Sequence, residues 1–242
     1  MKLLIHGVPD TGYMWTPLVQ ALELDADTYT APTMPGFDGH LPDDFPATSE
    51  AYLNWVVEKL EATALIHGPV DLVGHDWGAP LVAMAAQRRP DLIRTWTIIN
   101  AAPEPSYKWH KLARLWQRPF VGEIFMALGG HKKFREQLIA SGMPEDIAEH
   151  EAPLINRSMK RAILKLYRSA KDPSEWKTDF SNIASKGLIL WGADDPFVPI
   201  SIARRFAERW NITLCAEQHA GHWGLCERPE RFASHLRAHW AA

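Results

Sequence analysis

The sequence predicts an α/β protein: a mostly parallel sheet covered by helices on both faces and interrupted by one long helical insertion. Three observations carry this. Short β-branched or apolar runs bounded by turn chemistry alternate with longer helical patterns. Such alternation builds parallel sheets. The alternation then stops for more than eighty residues between Pro103 and Lys186, a stretch without a convincing strand.

In chain order the strand candidates are Lys2–His6, Thr28–Thr33, Val70–Gly74, Thr95–Asn100, Gly187–Trp191 and Ile212–Ala216. Between them, Glu50–Thr63 reads as a helix because Leu53, Val56, Val57 and Leu60 recur at helical spacing. Ala79–Arg89 and Ile202–Trp210 also read as helices. Pro229–Ala241 closes the chain as another, with Pro229 suited to a first helical position. Within the insertion the helical patterns are Trp109–Gln117, Val121–Leu128, Lys132–Ala140, Pro144–His150 and Leu154–Ser169. The expected division is therefore a core of residues 1–102 and 187–242 and a helical subdomain of residues 103–186. The insertion is entered through Ala101–Pro105 and left near Asn182–Lys186.

Bulk composition narrows the class. With 242 residues, 46% hydrophobic and 23% charged, the chain is ordinary globular material rather than disordered or coiled-coil sequence. Its net charge of −3 leaves no whole-chain electrostatic footprint for nucleic acid or an anionic membrane, so neither is an expected partner. Two cysteines, Cys215 and Cys226, read as reduced thiols, and no apolar run approaches the roughly 20 residues that span a bilayer. The first apolar run meets His6 and Gly7 too early to be a signal-peptide core. The expectation is a soluble, cytoplasmic protein, monomeric or homodimeric.

The most informative segment is Val70–Pro80, where a strand runs into Gly74-His75-Asp76-Trp77-Gly78 and a helix follows. Gly-x-Asp-x-Gly in that setting has the form of a nucleophile elbow, whose glycines permit a tight strand-to-helix turn. A carboxylate at its centre is already ionised at neutral pH. It can displace a leaving group at saturated carbon without a base, leaving an alkyl ester on the protein. An ordinary turn Asp is the alternative reading. An acid and a histidine should follow in that order. Asp194 and Asp195 follow the fifth strand candidate, and His219 and His222 follow the sixth. A histidine held by the acid can deprotonate water. The two histidines lack a third ligand at metal spacing, so no metal is expected. After the first strand, His6-Gly7-Val8-Pro9 can aim the Val8 N–H into the site. With the Trp77 N–H it would make an oxyanion hole.

These motifs together resemble the α/β-hydrolase superfamily, and within it the aspartate-nucleophile branch of epoxide hydrolases and haloalkane dehalogenases. His6-Gly7-Val8-Pro9 is similar to the branch's HGxP motif, Gly74–Gly78 to its nucleophile motif, Trp191–Asp195 with Val198-Pro199 to its acid loop, and Gly221-His222-Trp223 to its histidine loop. The resemblance implies a helical cap at 103–186. Because the chain begins at what the family would count as its third strand, it also implies a sheet of about six strands without the usual leading hairpin. It places Asp195 in the acid position and Asp76 and His222 in the nucleophile and base positions.

The branch leaves two activities open. Epoxide opening needs a cap acid, and Tyr167 maps onto the family's second tyrosine, with Tyr107 near the hinge as a possible helper. Alkyl-halide cleavage needs halide donors: Trp77 is present, the loop position is Val8, and Trp109, Trp116 or Trp176 of the insertion can substitute. The favoured expectation is epoxide hydrolysis on small neutral organic substrates with water and no cofactor. Haloalkane dehalogenation is the alternative, and a non-catalytic binding scaffold the remote one.

Overall fold

The structure is a computed structural model that describes residues 1–176, 178–181 and 183–241; Asn182, in the expected exit from the insertion, lies outside them. Six strands form one sheet: β1 (Lys2–Ile5), β2 (Tyr29–Thr30), β3 (Val70–His75), β4 (Ile93–Ile99), β5 (Lys186–Gly192) and β6 (Thr213–Glu217). Their order is β2-β1-β3-β4-β5-β6 and every pairing is parallel. The six strands fall where the apolar runs place them. The expected Thr28–Thr33 shrinks to two residues because β2 is an edge and Pro32, which has no N–H, cannot continue the ladder.

Handedness explains where the helices lie. The step from β1 to β2 runs one way along the sheet, and every later step runs the other way. Right-handed crossovers therefore put α1 (Thr16–Ala21) on one face and α2 (Ser49–His67), α3 (Gly78–Arg88) and α9 (Ile200–Trp210) on the opposite one. Accordingly α2 packs on α3, and α1 packs on α10 (Gly224–Glu227) and α11 (Pro229–Ala241). Helix α1 escapes sequence reading because it is a single short stretch with Pro17 in its first turn. Helix α2 starts where the Thr48 hydroxyl accepts from the Ala51 N–H and ends at Gly68, φ +73°. The central strands are buried along nearly their whole length, and Trp15, Trp96 and Trp191 are among the largest fully buried side chains.

The long strandless stretch forms α4 (Lys111–Trp116), α5 (Val121–Leu128), α6 (His131–Ala140), α7 (Glu145–Glu151) and α8 (Arg157–Ser169). Helix α8 starts later than its hydrophobic pattern because the Asn156 side chain caps it, accepting from Ser158 and Met159 N–H groups. No helix among the described residues is long and apolar enough to cross a membrane.

The tightest passage lies where α3 leaves the sheet. A Cβ at Gly78 would stand 2.1 Å from the Ile5 carbonyl oxygen, and one at Gly74 2.2 Å from the Gly78 oxygen. Neither neighbour is a side chain that can swing away. Gly78→Ala is therefore expected to lower stability by about 1–3 kcal/mol through overpacking, read as a reduced urea midpoint. An unchanged midpoint would contradict this packing.

Candidate active site

The chain leaves β3 at His75, reverses at Asp76 and enters α3 at Gly78. Asp76 has φ +47°, a left-handed conformation that costs a side-chain-bearing residue on the order of 1–3 kcal/mol. Surrounding bonds hold it there: its N–H donates to the Ile99 carbonyl (3.1 Å), and its carbonyl accepts from Ala79 (2.9 Å). The result lifts the carboxyl group above the carboxyl ends of β1, β3 and β4.

Two groups meet that carboxylate. The Val8 N–H donates to Oδ2 at 2.8 Å, and His222 Nε2 lies 3.5 Å from Oδ1. The Trp77 amide, the other expected donor, makes no hydrogen bond to Asp76 in this structure. Behind His222, Nδ1 lies 2.7 Å from Asp195 Oδ2, while Asp195 Oδ1 accepts from the Phe197 and Val198 N–H groups (2.7 and 3.0 Å). Of the four acid and histidine candidates, Asp195 and His222 are buried beside Asp76. The side chains of Asp194 and His219 are 65% and 83% exposed and approach each other at the surface.

Asn100 completes the arrangement and was missed in the sequence. Its Nδ2 donates to Asp195 Oδ2 (2.7 Å) and its Oδ1 accepts from Gly192 N–H (3.1 Å), so it fixes the acid loop to the end of β4. The available signal was a polar residue closing an otherwise apolar strand.

Electrostatics follow from burial and pairing. Desolvation pushes the Asp76 carboxyl up, but hydrogen bonding and attraction to His222, His75 and the Val8 amide prevail and hold it below the usual range, so it is ionised. Asp195 is held low in the same way, by His222, Asn100 and Val198 against desolvation. His222 is the mirror case: burial alone would lower its pKa, but two carboxylates raise it well above the ordinary value.

Above Asp76 lies a cavity of about 690 Å³, its open mouth included. Leu112 and Trp116 of α4, Phe125 and Met126 of α5, Phe134 and Leu138 of α6 and Ile163 of α8 face it, alongside Val8, Phe197 and His222 of the sheet side. Among the described residues no Lys or Arg lines it, nor any carboxylate besides Asp76. Tyr167 lines it too; burial and the Asp76 charge keep its phenol protonated far above the usual range, and no protein acceptor takes its proton among the described residues. Tyr107 is differently placed: its hydroxyl donates to the Phe197 carbonyl at 3.4 Å.

His110 also borders the cavity and was not singled out in the sequence. Burial lowers its pKa to about 4, so it is neutral. Its Nδ1 accepts from the Ala113 N–H at 3.2 Å, capping α4, which leaves its proton on Nε2. Nothing in the local sequence separates it from an ordinary cap. Among the tryptophans, Trp109 stacks on Trp77 and gives its N–H to the Ala170 carbonyl. Among the described residues the buried indole N–H groups of Trp77 and Trp116 find no acceptor within hydrogen-bond distance, and both rings flank Tyr167 at 5.3 and 5.0 Å. Trp176 packs edge-on against Trp77.

A second buried layer supports the first. His75 Nε2 donates to the His222 carbonyl at 2.9 Å, its Nδ1 lies 3.6 Å from Asp10, and Asp10 accepts from the Trp223 indole at 3.1 Å. Glu151 of α7 accepts from the Thr11 hydroxyl at 2.9 Å; burial, then the nearby Asp10, push its pKa up to about 8.

Residues 3–235 match the sequence pattern of the alpha/beta hydrolase family. The chain belongs to that family. This hydrolase is 24% identical over 263 residues to epoxide hydrolase 3 of Xenopus tropicalis, covering 98% of its own length and 70% of the relative's. Its fold matches 2-hydroxy-6-oxo-6-phenylhexa-2,4-dienoate hydrolase from Rhodococcus sp. strain RHA1, with TM-score 0.80, 19% identity and 99% and 90% of the two chains covered. A haloalkane dehalogenase from Bradyrhizobium elkani USDA94 matches at TM-score 0.77 and 20% identity, again over 99% and 90%.

Two predictions test the electrostatics of the hydrolase. Asp195→Asn should lower the His222 pKa in a histidine NMR titration, because a buried counter-charge is lost, while Asp194→Asn should leave it in place. Equal shifts would remove Asp195's special position. For Glu151, folding raises the pKa from 4.5 to about 8. The folded state therefore keeps a proton that the unfolded chain releases, and stability from this group is full at low pH and declines as pH climbs toward the folded value. Unfolding midpoints of the parent should fall relative to Glu151→Gln between about pH 5 and about pH 8; parallel profiles would show that Glu151 titrates normally.

Proposed function

We propose that this hydrolase opens epoxides through a covalent ester on Asp76, with residues 103–186 acting as a cap over a core of 1–102 and 187–242. One observation carries the reading: an ionised carboxylate on a left-handed elbow, facing an apolar cavity that contains proton donors and, among the described residues, no cation beyond His222. Asp76 attacks the ring carbon as the C–O bond breaks. Tyr167 and the Nε2–H of His110 donate to the departing oxygen, the tyrosine holding its proton at neutral pH and the imidazole being neutral.

Esterification removes the Asp76 charge that helps hold a proton on His222, while the opened oxygen gains a proton. Tyr167, left as a phenolate by that donation, is restored by the proton that His222 gives up, so the site's charge is conserved and the now neutral His222 can take a proton from water. That water attacks the ester carbonyl, with Asp195 orienting the imidazole and the Val8 amide, already on Oδ2, stabilising the oxyanion. The cavity suits neutral apolar substrates. The dienoate named for the Rhodococcus enzyme would bring a carboxylate that no Lys or Arg among the described residues of the cavity would meet.

A second reading, haloalkane dehalogenation by the same nucleophile, is favoured by the unpartnered indole N–H groups of Trp77 and Trp116. The two readings separate by mass. His222→Gln should accumulate an adduct on Asp76. Styrene oxide adds its whole mass because the opened oxygen stays attached, whereas 1-bromobutane adds its mass less hydrogen bromide. Tyr167→Phe, and His110→Asn, which keeps a capping acceptor, should reduce epoxide turnover, Tyr167→Phe by roughly 10²–10⁴-fold. Absence of any adduct, with heavy oxygen from water appearing in the first-turnover product, would make Asp76 a general base and sink the covalent reading.

A further inference from the structure

Helix α5 has two unlike sides. Inward, Phe125 and Met126 line the cavity. Outward, Val121, Ile124 and Leu128 are 42%, 60% and 73% exposed and fall within an arc of about 60° at 3.6 residues per turn, and Phe120, just before the helix, is 81% exposed. Phe120 is held at φ +65°, where a bulky side chain is disfavoured, with its ring in solvent. Scattered exposed apolar residues mean little, but a continuous stripe marks an interaction surface.

The neighbouring surface is cationic. Helix α8 lies beside α5, joined to it by the Arg168–Glu123 pair at 2.6 Å. Along α8's outer side, Arg157, Arg161 and Lys165 have no carboxylate partner among the described residues. Residues 103–186 contain fifteen Lys and Arg against ten Asp and Glu, a net +5, although the whole chain is −3 and the remainder is therefore −8. The mild total averages over two oppositely charged parts. A second copy placed stripe to stripe would bring like charges together. An anionic bilayer accommodates both features, taking the apolar side chains below its headgroups and the cations among them.

We propose that the outer face of α5 and α8 docks this protein peripherally on an anionic lipid surface. The cavity-lining side of α5 then lies directly behind the lipid contact, where apolar substrates dissolved in the bilayer are concentrated. The proposal is independent of which bond the hydrolase breaks.

The test is flotation of the full chain with vesicles of phosphatidylcholine alone and of phosphatidylcholine with phosphatidylserine. Binding should be stronger to the anionic vesicles and weaken with salt. Combining Arg157→Glu, Arg161→Glu and Lys165→Glu should weaken it on the order of a hundredfold. Combining Phe120→Ser, Ile124→Ser and Leu128→Ser should weaken it by at least about tenfold. Both variants should keep the parental circular dichroism and unfolding midpoint, since none of these side chains is in the core or the cavity. No vesicle binding by the parent, equal binding to both vesicle types, or unaltered binding by either variant would overturn the proposal. So would a concentration-dependent dimer abolished by the serine substitutions without vesicle binding, which would assign the face to a second copy.

Discussion

The close passage of α3 against β1 constrains everything around it. Gly78 runs past the Ile5 carbonyl at a distance that admits no side chain, and that contact fixes the turn carrying Asp76 in a left-handed conformation. The same approach brings the end of β1 beside the elbow, so the Val8 amide lands on the Asp76 carboxylate rather than several ångströms away. Backbone packing thus positions the anion and its first donor together, and neither depends on a mobile side chain.

Charge then organises the surroundings. Three ionisable groups, Asp76, His222 and Asp195, share a buried volume in which an unpaired charge would be costly. Two carboxylates flank one imidazole, and the remaining lone pairs of Asp195 are met by Asn100 and by two backbone amides. The balance is poised: loss of either carboxylate's negative charge would weaken the hold on the His222 proton. His75, Asp10 and Trp223 brace the histidine loop from behind, and Glu151 carries that polar layer into α7.

The helical insertion performs two physical tasks with one set of elements. Its inner surface is largely apolar and, among the described residues, carries no Lys or Arg, so the electrostatic interactions near Asp76 act in a less polar medium than water. Its outer surface carries an exposed apolar stripe, and residues 103–186 carry a net +5 within a chain of net −3. A single short helix, α5, contributes to both because residues on opposite arcs face opposite environments.

The sequence by itself determined the alternation of strands and helices, the tight turn at Asp76 and the chain order of Asp76, Asp195 and His222. These are local: a strand's apolar run, a glycine pair around one aspartate and a turn after a strand are all legible over a few residues. The shortened β2 and the delayed start of α8 were legible in principle too, through Pro32 and Asn156. What only the tertiary structure decided was which neighbours meet. Asp194 and Asp195 are adjacent in sequence, yet only the turn after β5 sends one inward to His222 and leaves the other in solvent. Asn100, His110 and Glu151 owe their character to burial and to partners as far away as Asp195 and Thr11, and no local pattern encodes those distances. The net +5 of residues 103–186 was legible in the sequence once counted apart from the −3 total, and only the fold decided that Arg157, Arg161 and Lys165 share a surface beside α5.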